Sequence, residues 1–277
     1  MKVFVTGGTG FIGSHFLNQA SQSGHELVAL RRSPQTSPRV ALTAAPHWVD
    51  ASMEALQPEH FRGCEAVVHL AAHSANVPYD TLANCLRWNV QAPLQMFSAA
   101  LAAGVRKFIV AGSCFEYGRS GERYDFIPPD APLEPTLSYP ASKAAAAVAC
   151  HAFAHEQKVA LLYLRIFQVF GEGELESRLW PSLRRAALAG QDYPLTPGEQ
   201  IRDFIPVEKV AAAFVAALSR TDFIPGQPKF ENLGTGQPQT LRAFAEHWWR
   251  VWNAQGRLLP GALPYRANEV MRYVPRI

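Results

Sequence analysis

The chain has 277 residues, 48% of them hydrophobic and 18% charged, with a formal net charge of +3. That balance excludes an intrinsically disordered chain, and so small an excess of positive charge gives no ground for a nucleic-acid partner. No apolar run approaches the roughly 20 residues that a membrane-spanning helix needs, and no basic-then-apolar leader opens the chain; a cytoplasmic setting without a membrane partner is expected. The cysteines Cys64, Cys85, Cys114 and Cys150 form no CxxC pair, so neither a metal site nor a disulfide framework is expected.

Taken in order, "KVFVTG" predicts a buried strand, "GSHFLNQASQSG" a helix and "HELVALR" a second strand. "CEAVVHLAA" and "RKFIVAGS" predict two more strands, separated by a long helical stretch, "TLANCLRWNVQAPLQMFSAALAAG". A helix around residues 140–156 and the apolar run "VALLYLRIF" follow. Strands alternating with helices predict an α/β, doubly wound parallel sheet. Nearly continuous apolar strands fit a sheet covered on both faces. Near residue 171 the rhythm breaks, and the turn-rich stretch up to residue 206 reads as a smaller, irregular substrate-side region.

The stretch "TGGTGFIGSHF" packs Gly7, Gly8, Gly10 and Gly13 between the first strand and the first helix. A GxGxxG match alone is weak; its place inside a βαβ unit is the context that the dinucleotide-binding turn requires. Glycines let the backbone turn tightly beside a pyrophosphate, and the helix N-terminus offers unpaired N–H groups to it. Where NAD-specific folds place an acidic residue on the ribose, about 20 residues on, this chain has Arg31 and Arg32. Paired guanidinium groups suit a 2′-phosphate, so NADP(H) is expected in preference to NAD(H).

Tyr139 and Lys143 in "SYPASK" are four residues apart and share one helix face. An ammonium close to the phenol is expected to lower its pKa from the usual value of about 10, making it a usable acid or base. Ser113, at the end of the strand "RKFIVAGS", is placed to hold a carbonyl oxygen beside that phenol.

With these motifs in hand, the chain resembles the extended short-chain dehydrogenase/reductases, the group of nucleotide-sugar epimerases, dehydratases and reductases. "TGGTGFIG", "VVHLAA", "GSCFEYG", "YPASK", "LRIFQVFG" and "IRDFIPVEKVAAA" are similar to the family's motifs almost end to end, with Gln168 and Lys209 departing from the usual asparagine and aspartate. The resemblance implies a Rossmann domain over residues 1–170 and a mainly substrate-binding region over 171–277, with about 203–235 returning to the first. It assigns Gly7, Gly10, Phe11, Ile12 and Gly13, with Asp50 and Ala51, Leu70, Ala71 and Ala72, to the cofactor. Asn89, Tyr139 and Lys143 join them, while Ser113, Tyr139 and Lys143 are the implied catalytic set. Arg202, Arg266 and Glu269 are the implied substrate ligands, the arginines on a diphosphate; His69, His73 and Tyr79 are candidates to line the cleft, with a satisfied core histidine the better reading of His69.

Cys114 and Phe115 stand where sugar dehydratases carry an Asp-Glu pair, which argues against dehydration. Phe115 also replaces the cysteine of fucose-synthase-like enzymes. The tail "GALPYRANEVMRYV" is most similar to the 4-keto-6-deoxyhexose reductases. The resemblance therefore implies NADPH-dependent reduction of the 4-keto group of a nucleotide-linked 4-keto-6-deoxy sugar. A nucleotide-sugar 4-epimerase with bound NAD is one alternative, and a non-catalytic NADP-sensing protein a second. It also implies a homodimer through the helices around 82–103 and 140–156.

Overall fold

A computed structural model describes residues 1–266 and 269–277. Six parallel strands come first: β1 (Lys2–Thr6), β2 (Glu26–Arg31), β3 (His47–Asp50), β4 (Ala66–His69), β5 (Lys107–Ser113) and β6 (Ala160–Ile166). A seventh strand, Lys229–Leu233, pairs in parallel with β6, and the sheet order runs from it through β6, β5, β4, β1 and β2 to β3. The short strand β3 was not among the runs that the sequence pattern marks. This is the doubly wound α/β arrangement expected, and it places every strand-to-helix turn at one carboxyl edge.

The alternation of side chains along each strand divides the core into two layers. Val3, Val5, Leu27, Ala29, Val68, Ile109 and Leu162 face one side. There they pack against α1 (Phe11–Gln22) and α6 (Val207–Ser219), through Phe16, Leu17, Val210 and Phe214. Phe4, Val28, Val67, Phe108 and Leu161 face the other side, against α3 (Ala92–Ala102) and α4 (Ser138–Gln157), through Met96, Phe97, Cys150 and Phe153. Among the described residues no helix is long and apolar enough to cross a membrane.

Two expectations need correction. The stretch 81–104 is not one helix: α2 (Leu82–Leu86) passes into a π turn, Arg87–Gln91, before α3 begins. Pro93 has no N–H to return to the Asn89 carbonyl, so the regular ladder stops there. The turn-rich stretch 171–206 is not irregular throughout, since it contains α5 (Leu179–Leu188). Leu179, Leu183, Ala186 and Ala187 form an apolar stripe that meets Ala245 and Trp249 of α7 (Leu241–Val251).

The glycine turn is the tightest point of the fold. Gly7 sits at φ +74°, and a Cβ there would lie 2.5 Å from the Ala71 nitrogen beyond β4. A Cβ on Gly13 would lie 2.0 Å from the Gly7 carbonyl oxygen. Substituting Gly13 by alanine must therefore push α1 away from β1. Overpacking of this kind costs about 1–3 kcal/mol, so Gly13→Ala is expected to lower the urea midpoint by a corresponding amount and to weaken dinucleotide binding. An unchanged midpoint would contradict this packing.

Candidate active site

The carboxyl edge gathers the side chains singled out above. Ser113 closes β5, and its hydroxyl accepts a 3.3 Å bond from the Phe115 N–H. Tyr139 and Lys143 lie in the first turns of α4, both nearly fully buried. The Ser113 side chain lies near enough to the Tyr139 phenol to favour its ionised form, and the Tyr79 ring lies 5.5 Å from the Tyr139 ring.

The electrostatics differ from expectation. Lys143 Nζ donates to the Ala111 carbonyl at 2.7 Å rather than to the phenol. Burial raises the Tyr139 pKa above its ordinary value, with the Ser113 hydroxyl opposing that shift. Burial also lowers Lys143, while the Glu116 carboxylate works to raise it. The chain alone therefore does not make an acidic phenol. Desolvation dominates the phenol, and the Lys143 ammonium makes its contact to the backbone instead.

Asn89, in the π turn, ties two elements to this centre. Its Oδ1 accepts from the His73 N–H at 2.7 Å, and its Nδ2 donates to the His73 carbonyl at 3.1 Å and Ser142 Oγ at 2.9 Å. His69 is buried, with Nδ1 2.7 Å from Thr6 Oγ1, and burial pushes its pKa down to about 3, so it stays neutral. His73 pairs with Asp80 at 2.8 Å.

The glycine turn lies at the same edge. Gly10, the residue before α1, offers no side-chain cap, which leaves first-turn N–H groups free for an anion. Phe11 and Ile12 open that helix, and Leu70, Ala71 and Ala72 follow β4 directly opposite Gly7. This glycine cradle, which any Cβ would fill, fits a dinucleotide pyrophosphate. At the end of β2, Arg31 binds Asp50 through Nε at 2.6 Å and Nη2 at 3.3 Å, and lies 4.9 Å from the Trp48 ring centre. The Ala51 N–H donates to the Arg31 carbonyl at 3.1 Å, and Arg32 is exposed.

Of the expected substrate ligands, Arg202 donates to Glu269 at 3.0 Å and to the Val270 carbonyl at 2.6 Å. Arg266 is exposed. Arg202 and Arg178 both lower the Cys114 thiol electrostatically, against burial that pushes it up to about 12. Arg178 and Arg266 act likewise on the Tyr79 phenol. Arg202 and Arg178 thus lie within electrostatic reach of Cys114, and Arg178 and Arg266 within reach of Tyr79. Arg178 escaped the sequence reading because it lies in the stretch taken as irregular; its place one residue before the stripe of α5 was the available signal. Glu116 and Arg165, a buried ion pair at 2.7 Å, escaped as well.

Set beside known proteins, residues 3–231 match the model of the NAD dependent epimerase/dehydratase family. The chain belongs to this family. It is therefore an enzyme of the NAD-dependent extended short-chain dehydrogenase/reductase class. It is 27% identical to a UDP-glucose 4-epimerase of Corynebacterium glutamicum, over 97% of this chain and 85% of the relative. A CDP-abequose synthase of Salmonella muenchen is 25% identical, over 98% of this chain and 87% of the relative. Among solved structures, MoeE5 in complex with UDP-glucuronic acid and NAD superposes with a TM-score of 0.85 at 26% identity, covering all of this chain and 90% of that one.

One buried carboxyl is expected to make stability pH-dependent. Glu174 is buried, with Oε1 3.4 Å from Arg178 Nε and Oε2 unpartnered among the described residues. Burial pushes its pKa from 4.5 to about 7. The folded state then holds a proton that the unfolded state releases above about pH 4.5. Stability conferred by that proton is present at low pH and lost as pH rises toward 7. Glu174→Gln should remove this slope, gaining roughly 2–3 kcal/mol on the parent between pH 5 and pH 8. Urea titrations of both proteins at the two pH values measure it; parallel curves would show that Glu174 ionises freely.

Proposed function

We propose that this protein is an NADPH-dependent reductase of the 4-keto group of a nucleotide-linked 4-keto-6-deoxy sugar. The observation that carries the reading is Arg31 at the C-terminal end of β2, the position from which an acidic residue would hold an unphosphorylated ribose. Beside it lies a cavity of about 360 Å³ lined by Arg31, Thr36, Ser37 and Trp48 among others, with cation, hydroxyls and room for a 2′-phosphate. The dinucleotide, when bound, supplies the hydride for C4 of the sugar.

The chain's own residues do the rest. Gly7, Gly10 and Gly13 admit the pyrophosphate, with Phe11 and Ile12 at the helix start. Asp50, Ala51, Leu70, Ala71 and Ala72 border the adenosine side, and Asn89 braces the turn beneath the nicotinamide end. Ser113 and Tyr139 hold the keto oxygen, and Tyr139 gives it the proton. Donors fixed in advance around a developing alkoxide account for much of the rate in such sites. Lys143, which donates to the Ala111 carbonyl in the free protein, would hold the cofactor ribose and favour the ionised phenol. Arg202, Arg266 and Glu269 bind the nucleotide diphosphate side, with Arg178 joining them. Apolar surface at Val148 of α4 and Leu82 of α2, 66% and 49% exposed, supports a homodimer, which sedimentation equilibrium tests.

A second reading, a nucleotide-sugar 4-epimerase that keeps NAD bound, draws support from the likeness to UDP-glucose 4-epimerases. The two readings part on cofactor economy: a reductase consumes NADPH, whereas an epimerase regenerates its cofactor in each turnover.

Arg31→Asp is expected to weaken NADPH and to spare or improve NADH in kcat/KM. A parent enzyme that already prefers NADH would overturn the cofactor assignment. Tyr139→Phe should leave dinucleotide binding intact and lower kcat by about 10²–10⁴-fold, the usual contribution of a general acid. The assay follows NADPH oxidation with a nucleotide-linked 4-keto-6-deoxy sugar made in place by a dehydratase. Interconversion of C4 epimers without NADPH consumption would hand the function to the second reading.

A further inference from the structure

Beneath Ser113 lies a carboxylate that the reaction scheme leaves idle. Glu116 is completely buried in the turn that follows β5. Its Oε1 accepts the Ser113 N–H at 2.8 Å and the Tyr163 hydroxyl at 2.8 Å, and its Oε2 accepts Arg165 Nε at 2.7 Å. Burial raises the Glu116 pKa, while the Arg165 guanidinium, the Lys143 ammonium and the Ser113 N–H all favour its anion, with Arg165 as the counter-ion. Room for it comes from Gly112, where a Cβ would lie 2.9 Å from Glu116 Oε1 and 2.2 Å from the Tyr163 ring. The Tyr163 hydroxyl also lies 3.2 Å from the Lys143 carbonyl, so the same cluster reaches α4.

We propose that Glu116 is a positioning residue for the Ser113–Tyr139–Lys143 centre: its carboxylate fixes the backbone of Ser113 and supplies the counter-charge that faces Lys143. The proposal rests on the reading of that centre given above. A neutral side chain that merely filled this space would hold the turn but not the charge. Burial disfavours the Lys143 ammonium, and Glu116 and the Cys150 thiolate form are the groups that favour it. His69, on β4, feels Lys143 as a repelling charge and is neutral. Arg165 and Tyr163, on β6, bind Glu116 directly, and the thiols of Cys114 and Cys150 and the phenols of Tyr117, Tyr139 and Tyr273 are further titratable neighbours. Of these, Glu116 is the carboxylate whose charge favours the Lys143 ammonium, and Tyr163 joins the two residues by touching the carboxylate and the Lys143 carbonyl.

The sign of the effect follows. Removing the anion lowers the pH at which Lys143 loses its proton, so a property that needs the ammonium fails at lower pH. NADPH binding, read by nicotinamide fluorescence across pH without substrate, is that property, and its alkaline limb should vanish in Lys143→Met. In Glu116→Gln the limb should move down by about one unit or more. There kcat should fall by about tenfold to a hundredfold, with KM for the nucleotide sugar nearly unchanged. Glu116→Asp keeps the charge and shortens the reach, so its limb should stay at the parent pH while kcat falls. Glu116→Asp decides the matter if Glu116→Gln does not fold, and a moved limb there overturns the proposal. A limb unmoved in Glu116→Gln yet abolished in Lys143→Met overturns the proposal alone. A limb that survives Lys143→Met overturns it together with the assignment of Lys143 to the cofactor.

Discussion

The contact between the Gly13 α-carbon and the Gly7 carbonyl sets the distance between β1 and α1, and much of the cofactor side depends on it. Only hydrogen atoms fit in that gap. Because they fit, the first turn of α1 reaches the carboxyl edge of the sheet, where β4 delivers Leu70 and Ala71 against Gly7. A parallel sheet brings all its strand ends to that edge, so whatever binds at the turn also meets Ser113 and α4. The local demand for glycine and the global topology have the same solution.

Burial controls the chemistry of the other half. Lys143, Glu116, Arg165, Asn89 and His69 are all less than one-tenth exposed. Polar groups taken from water are costly unless bonded, and each of these has a partner within 2.7–3.1 Å. The price is a phenol and an ammonium shifted away from their charged forms in the free protein. Where Lys143 donates to the Ala111 carbonyl, a cofactor ribose would have to replace a bond rather than find an idle donor. On the reading proposed above, activation of Tyr139 would then follow from cofactor binding.

The sheet was legible because its signals are local: apolar runs, helical periods and a glycine cluster each announce themselves within about ten residues. Ser113, Tyr139 and Lys143 were legible for the same reason, since each ends a strand or opens a helix. Glu116 and Arg165 were not. They stand 49 residues apart and meet only because β5 and β6 pair in parallel, with Ser113 opposite Ile166. Within its own segment Glu116 looks like an ordinary turn residue. Helix α5 was hidden differently, its apolar stripe flanked closely by glycines and a proline. The π turn at Asn89 needed Pro93 to be read as a local stop rather than as a tolerated early-helix proline.

Arg31 shows how a partner alters what a motif residue can do. Asp50 occupies its Nε–Nη2 edge and Trp48 lies against its plane, which leaves the Nη1 edge directed away from the carboxylate. The guanidinium is thereby oriented at little further entropic cost, an advantage for any phosphate that arrives. The same carboxylate repels that phosphate, so the pair as a unit is nearly neutral. On the reading proposed here, the remaining attraction must come from the exposed Arg32 and from hydrogen bonds of the kind that Thr36 and Ser37 offer in the adjoining cavity. Screening by salt weakens the exposed contribution far more than the oriented one. Discrimination between the two dinucleotides then depends on Arg32 and the neighbouring hydroxyls together with the oriented free edge of Arg31, and not on the Arg31 charge alone.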